Sequence, residues 1–398
     1  MMMTTMTSTA KAMPTSASTG AATTVAVAVA AASTTGVVAT LQLIGDIILP
    51  VFFALGVVGN LLTVHVMFTA RFRRLAVSRL LVALALSDFV VSIGFPLNKL
   101  SVRRLFRTDL RALSTIGCHI FYWTHRAAET ASAWLVVLIS CERFVAVWLP
   151  LRAKVISTPS HALAAVAVVY AACAAYMAYV TVVDDALVGG VCVSNYPAAT
   201  TTGQTEQHVN AYVIICVSAA VPAALLLVLN AFICWRLYSL ERDRRRRRGA
   251  VPGFPSSSGN GGGDTGTRIA SMPTTTTRAA SDDQSWKTTV TLVLVTFAFV
   301  AFIGPWNAVN FAALRRGVAL PTTTDPSLSV VRELTQMLEQ VNYAANFLFY
   351  VVFSSVFRRR LVELFRVPKI VPIRQIFRRE VVEHRAVNNV MELESVQL

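Results

Sequence analysis

Apolar residues gather into seven long runs, approximately 44–69, 77–98, 115–146, 162–183, 209–238, 286–312 and 332–353, and most of the charge lies between them. Runs of about 20 residues or more, rising ~1.5 Å per residue as helix, cross the ~30 Å hydrocarbon layer of a bilayer. The pattern predicts an all-α membrane protein, a seven-transmembrane helix bundle. A further stretch, Val356-Phe357-Arg358-Arg359-Arg360-Leu361-Val362-Glu363-Leu364-Phe365, places apolar groups on one helical face and arginines on the other. It predicts a short amphipathic helix over 354–366, lying on the membrane surface.

Composition agrees. Charged residues make up only 14% of the 398 and hydrophobic ones 55%, which argues against a soluble protein. The 36 Lys and Arg against 21 Asp and Glu leave a net charge of +15. That excess lies in the connections and the tail, so it speaks for membrane orientation and against a nucleic-acid partner. Arg71, Arg73, Arg74, Arg152, Lys154, Arg242, Arg244 to Arg248 and Arg358 to Arg360 all fall on one side, which is predicted to be cytoplasmic with the N-terminus outside. Lys99, Arg103, Arg104, Arg107 and Arg111 break the rule on the outer face; they are expected to be a solvated charged loop, the alternative being a rim for an acidic ligand or glycan.

Residues 1–43 are rich in Thr, Ser and Ala and are expected to form an unstructured extracellular arm. Val25 to Ala32 followed by Ser33 also has the outline of a signal-peptide core and cleavage site. The seven-helix body is assigned to 44–353, with a disordered, phosphorylatable third inner loop at 241–285, and the cytoplasmic tail to 367–398. No Asn-x-Ser/Thr site occurs, so N-glycosylation is not expected.

Cys141, Cys173, Cys216 and Cys234 fall inside helices or at their inner ends, which leaves Cys118 and Cys192 in the oxidising compartment, where two thiols are expected to pair. Twenty-five residues after Cys118, Glu142-Arg143-Phe144 closes the third run; about 37 Å of helix separates the two points, enough to join the membrane faces. Asp88 lies deep in the second run, where an acid is costly unless partnered. Together with Asn60, Pro96, Pro222, Phe299, Pro305 and Asn346-Phe347-Leu348-Phe349-Tyr350, these features resemble the rhodopsin-like G-protein-coupled receptors over roughly 44–366. The resemblance implies coupling to a heterotrimeric G protein through a switch made of Glu142, Arg143, Phe144, Phe299, Pro305, Asn346 and Tyr350. It also implies a polar network, able to hold Na+, made of Asn60, Asp88, Ser132, Asn342 and Asn346, with Asp88 and Ser132 as the ion's ligands; interhelical hydrogen bonding is the alternative use of the same residues.

Pro96, two turns after Asp88, resembles the chemokine and peptide-receptor branch, and the rewritten motifs with the Thr/Ala-rich arm resemble herpesvirus-encoded receptor homologues, which would place the chain in a host plasma membrane. The arm lacks Tyr, Asp, Glu and Cys, and Gln336 stands where chemokine receptors carry an acid, so the extracellular ligand, chemokine or other peptide, is left unassigned. Candidate ligand-cavity residues are His125, Arg126, Glu129, Gln336 and Glu339, with Arg126 and Glu129 spaced to pair along their own helix.

Departures from the family pattern concern the switch. Ile303 holds the usual Trp position before Pro305, Phe347 replaces the helix-seven Pro, Asn230 replaces a Tyr, helix four lacks its usual Trp, and Ser285 replaces the acid that clamps Arg143. Signalling without agonist is the expectation. After Phe365 the tail has only Ser395 as a hydroxyl residue, so arrestin recruitment is expected to depend on the third inner loop. A retinal pump is excluded by the lack of a Lys in 333–356, and neither transporter repeats nor enzyme chemistry is visible. The competing reading is a non-coupling, receptor-like scaffold or ligand scavenger associating with other receptors as homo- or hetero-oligomers.

Overall fold

Each apolar run becomes a helix because lipid offers the backbone no partners, and only intrasegment hydrogen bonds satisfy it. The computed structural model describes residues 36, 40, 45, 47, 48, 50–69, 74–98, 109–194, 204–249, 274–315 and 326–365. The spanning helices are α1 (Pro50–Phe68), α2 (Ala76–Asn98), α3 (Thr115–Trp148), α4 (Pro159–Asp184), α5, α6 (Thr274–Arg315) and α7 (Pro326–Phe353). Helix α5 is composite: Gln204–Ile215 runs through a π-helical turn at Cys216–Ala220 into Val221–Gly249. The bundle forms one unit ending at Ser354; the second unit contributes α8 (Ser355–Phe365), in which Arg360 pairs with Glu363 one turn on.

Local chemistry sets the helix ends. Ser114 caps α3 by accepting from the Gly117 amide at 2.9 Å, and Thr158 caps α4 by accepting from His161 N at 3.2 Å with Pro159 in the first turn. Between them lies the short helix Pro150–Ile156. After α4 the chain makes a hairpin, β1 (Asp185–Val188) against β2 (Val191–Ser194), with Leu187 opposite Cys192. Gly189 and Gly190 turn it at φ 57° and 74°, the left-handed pair that a two-residue hairpin requires.

Helix α3 runs through the middle, touching α2, α4, α5 and α6, while α7 packs on α6 and α2. Helices α1 to α6 are each long and apolar enough to cross a membrane. Helix α7 is more polar, carrying Arg332, Glu333, Gln336, Glu339, Gln340, Asn342 and Asn346, but it buries Glu333, Gln340, Asn342 and Asn346 in the protein. It starts six residues before the predicted run, with Pro326 in its first position. The connection expected over 241–285 is shorter than predicted: α5 continues to Gly249 and α6 begins at Thr274, since extending a nucleated helix costs far less than starting one. Residues 250–273, the tail from 366 and most of 1–49 lie outside the described residues.

Glycine permits the close approach of α1. A Cβ on Gly59 would lie 2.8 Å from Cβ and Cγ of Phe347, and one on Gly56 2.5 Å from Ser92 Oγ. Phe347 Cβ cannot rotate away, so Gly59→Ala is expected to lower stability by about 1 kcal/mol net, the overpacking exceeding the gain alanine normally brings to a helix. Thermal unfolding of the purified protein checks this: Tm falls in Gly59→Ala, and the fall shrinks when Phe347→Ala is present. An unchanged Tm contradicts it.

Candidate functional site

Asp88 on α2 is 0% exposed. A carboxylate so placed must be met by donors, and two helices supply them: Ser132 Oγ of α3 donates to Oδ1 and Asn346 Nδ2 of α7 to Oδ2, both at 2.6 Å. Ser92 Oγ donates to the Asp88 carbonyl at 2.7 Å. Of the five residues expected in this network, the structure therefore joins three. Asn60 is turned away, donating through Nδ2 to the Tyr343 carbonyl at 3.1 Å and so tying α1 to α7. Asn342 is buried nearby in sequence, one turn before Asn346, and its Nδ2 has no partner.

Arg143, near the far end of α3, is 8% exposed and pairs with the adjacent Glu142. Among the described residues that is its one ion pair. The side chain of Ser285 lies outside the described residues. Across the same end, buried Asn230 of α5 donates through Nδ2 to Thr296 Oγ1 of α6, while the Asn230 Oδ1 stays unpartnered. Phe144 packs against the buried cluster of Ile233, Leu237 and Val293. Tyr350 is buried on α7.

Two irregularities lie between these levels. Pro222 lacks an N–H and crowds the preceding turn, and the helix before it widens into the π turn. Helix α3 anchors this turn: Trp134 Nε1 donates to the Val217 carbonyl at 3.0 Å, and Thr130 shares a hydrogen bond with Ser218 at 3.1 Å. Pro305 interrupts α6 just after buried Phe299 and Ile303. Helix four lacks the family's Trp, and Tyr170 makes the link to α2, donating to the Ala83 carbonyl at 2.7 Å and bonding Ser87 at 2.9 Å.

The opposite end of the bundle is closed by Cys118–Cys192, whose Cα atoms are 5.6 Å apart. Asp109 caps the short 3-10 turn Leu110–Leu113, accepting from Arg111 N at 3.1 Å, Nε at 2.8 Å and Nη2 at 2.7 Å, and from the Cys192 amide at 3.4 Å. Arg111 also donates to Tyr122 OH at 3.0 Å and lies over the Phe121 and Tyr122 rings. Arg111 was expected in a solvated loop; instead it is buried, its charge met by Asp109 and aromatic faces. Residues 99–108, with the remaining basic positions, lie outside the described residues.

The expected Arg126–Glu129 pair is also corrected. Arg126 reaches Asp185 at the start of β1 at 3.1 Å, because that carboxylate is fully buried and needs a cation more than the partly exposed Glu129 does. Glu129 instead lies 3.3 Å from His125 Nδ1. His125 is buried between Phe121 and the Gly94 backbone, with Nε2 unpartnered. Gln336 and Glu339 are half-buried on α7.

A family model described as 7 transmembrane receptor (rhodopsin family) matches residues 59–350, well over half of the chain. The chain belongs to that family. It is a multi-pass membrane protein of the receptor type. Its sequence is 29% identical over 119 residues to growth hormone secretagogue receptor type 1 of Sus scrofa, covering 30% of this chain and 32% of that one. It is 29% identical over 119 residues to the human motilin receptor, 30% and 28% of the two chains, and 28% identical over 115 residues to dopamine receptor 3 of Caenorhabditis elegans, 29% and 19%. The aligned part thus spans less than a third of the length of these relatives.

Burial raises the Asp109 carboxyl, but hydrogen bonds and charge from Arg111, with the Arg111 and Cys192 amides, outweigh it and hold the group below its ordinary value. A depressed folded-state value gives stability that is complete above the unfolded value of ~3.9 and is lost as pH falls through the lower one. Asp109→Asn is expected to cost about 3 kcal/mol at neutral pH by leaving the Arg111 charge buried and unpaired. Thermal unfolding checks it: Tm falls in Asp109→Asn and recovers in part when Arg111→Met removes the stranded charge. Equal Tm values at pH 7 contradict it.

Proposed function

We propose that this receptor transmits a signal to a heterotrimeric G protein, and does so in part without agonist. The observation that carries the reading is Arg143, buried at the end of α3 and ion-paired, among the described residues, only to its own neighbour Glu142. Among the described residues no cross-helix ion pair holds Arg143, so none of these has to break for α6 to move about Pro305 and open a cleft beside it. Losing one charge-assisted contact moves a two-state equilibrium by on the order of 1 to 2 kcal/mol. The charge pattern supports placing the Arg143 end in the cytoplasm and the N-terminus outside.

Sodium fits the polar network as a modulator: Asp88 and Ser132 would hold it, offering oxygen ligands, and the ion would supply a positive charge beside the carboxylate. The ligand is proposed to be a peptide, supported by the placement of Pro96 and by likeness to receptors named for a growth hormone secretagogue and for motilin. The finer placement near chemokine receptors rests on Pro96, and that near herpesvirus-encoded homologues on the rewritten motifs and the Thr- and Ala-rich arm.

Agonist-free activation across a panel of G-protein biosensors, with surface expression matched, tests the coupling. Wild type is expected to signal above mock-transfected cells and Arg143→Ala to fall to that background; equal signals from the two proteins contradict it. Arrestin recruitment is proposed to use the hydroxyl-rich loop, so deleting 254–281 is expected to abolish it, and recruitment at the wild-type level after the deletion overturns the idea.

A further inference from the structure

Beyond Arg143, the ends of α3 and α5 build a cluster that the switch does not use. Trp148 stacks on Phe144, one turn back on α3, at 5.8 Å between centroids, and lies 5.4 Å from the Trp235 ring of α5. Phe232 meets both Phe144 and Trp148 edge-on at 6.4 Å. Arg236 lies over Trp148 with Cζ 5.5 Å from the ring centre.

Two polar atoms of this cluster lack hydrogen-bond partners among the described residues. Arg236 Nε and Trp148 Nε1 are both buried N–H donors without an acceptor. Among the described residues no carboxylate pairs with Arg236; Glu142 is taken by Arg143. Two buried donors on side chains that stack on one another, one of them carrying a full positive charge, ask for an anionic acceptor. Both side chains are half-buried, so an acceptor reaches them by a rotamer change and needs no unfolding.

Position identifies the occupant. Arg236 is the first charged residue of α5 after Glu206, and Trp148 ends α3 just before Pro150 and Arg152, so both stand at the boundary between hydrocarbon and headgroups. Trp235 and Tyr238 are 60% and 69% exposed there, as interfacial aromatics are. Leu225, Val228, Phe232 and Trp235, spaced i, i+3, i+7 and i+10 along α5, form an exposed apolar stripe leading from this point towards mid-membrane. We propose that Arg236 and Trp148 bind the phosphate of an anionic phospholipid, whose acyl chain lies along this stripe. Occupancy fastens the end of α5 to α3 one turn beyond Arg143.

The test uses the purified full-length receptor in nanodiscs of phosphatidylcholine with a tenth phosphatidylinositol bisphosphate, presented to both leaflets so that the result does not depend on orientation or coupling. Lipid retained on the receptor is counted by native mass spectrometry. Wild type is expected to retain the anionic lipid, and Arg236→Gln and Trp148→Phe each to lose about fivefold in retention, as for removal of one charge or charge-coupled donor at an anionic surface. Arg242→Gln, in the general basic run, is the control and should change it little. Trp148→Phe keeps the ring stack, so it reads the N–H even if Arg236→Gln misfolds. Equal retention by wild type and both variants overturns the proposal. So does displacement of the lipid by millimolar inorganic phosphate, which would make this a soluble-anion site.

Discussion

A carboxylate in the middle of a membrane bundle cannot stay ionised without donors, and it draws those donors from other helices. Asp88 takes one bond from α3 and one from α7, so three helices share a single register at the level of Ser132 and Asn346. Neighbouring polar links extend that register outward. Asn60 carries it to α1 through the Tyr343 carbonyl, and Tyr170 carries it to α4 through Ser87 and Ala83, a few residues before Asp88. Hydrophobic matching with lipid keeps the helices in the membrane, but it is indifferent to rotation and to sliding by a turn. The buried acid and its hydrogen bonds supply that specification.

The two ends of the bundle differ in how tightly they are held. At the disulfide end, a covalent bridge, two buried ion pairs and stacked guanidinium groups bind the 3-10 turn, the hairpin and α3 together. At the arginine end the ion pair is between sequence neighbours and spans no interface. Interhelical cohesion between α5 and α6 there comes from the Asn230–Thr296 hydrogen bond and a small apolar cluster around Ile233, Leu237 and Val293. Regions with few cross-element contacts open at lower free-energy cost, so motion is concentrated at the arginine end.

Much of this was legible in the sequence because its signals are local or chemically conspicuous. An acid in an apolar run, two cysteines on one side of the membrane and an arginine about 37 Å from one of them each announce themselves. The six most apolar spans and α8 follow from periodicity and length. Partner choice was less legible. Arg126 and Glu129 are neighbours on one helix, yet Arg126 goes to Asp185, which only the α4-to-β1 connection brings near. Arg111 read as part of a solvated loop because the burial that drives it against Asp109 depends on Phe121, Tyr122 and Cys192. The π turn leaves no pattern of its own; Pro222 marks its place, but the Trp134 that satisfies it lies 83 positions from Val217.

Two of the departures from the family pattern, Ile303 and Asn230, lie at the interface of α5 and α6. Ile303 and small neighbours leave a cavity of about 360 Å³ between α5 and α6, lined by Ala219, Ala223, Phe299, Gly304 and Asn307 among others. Its lining is in large part alanine and glycine on both helices, so α5 and α6 meet there through few large side chains. The cavity sits at the level of Pro305 and the π turn, where both helices already lack regular backbone bonding. Below it, the Asn230–Thr296 bond contributes about 1 kcal/mol net, the ordinary value for a hydrogen bond between neutral groups. Small side chains at the hinge, one neutral hydrogen bond beyond it and, among the described residues, no intersegment ion pair at Arg143 are the features on which the proposed movement of α6 rests. The same three features make Ile303 and Asn230 parts of one change, in which bulk and aromatic contacts are exchanged for a lighter latch.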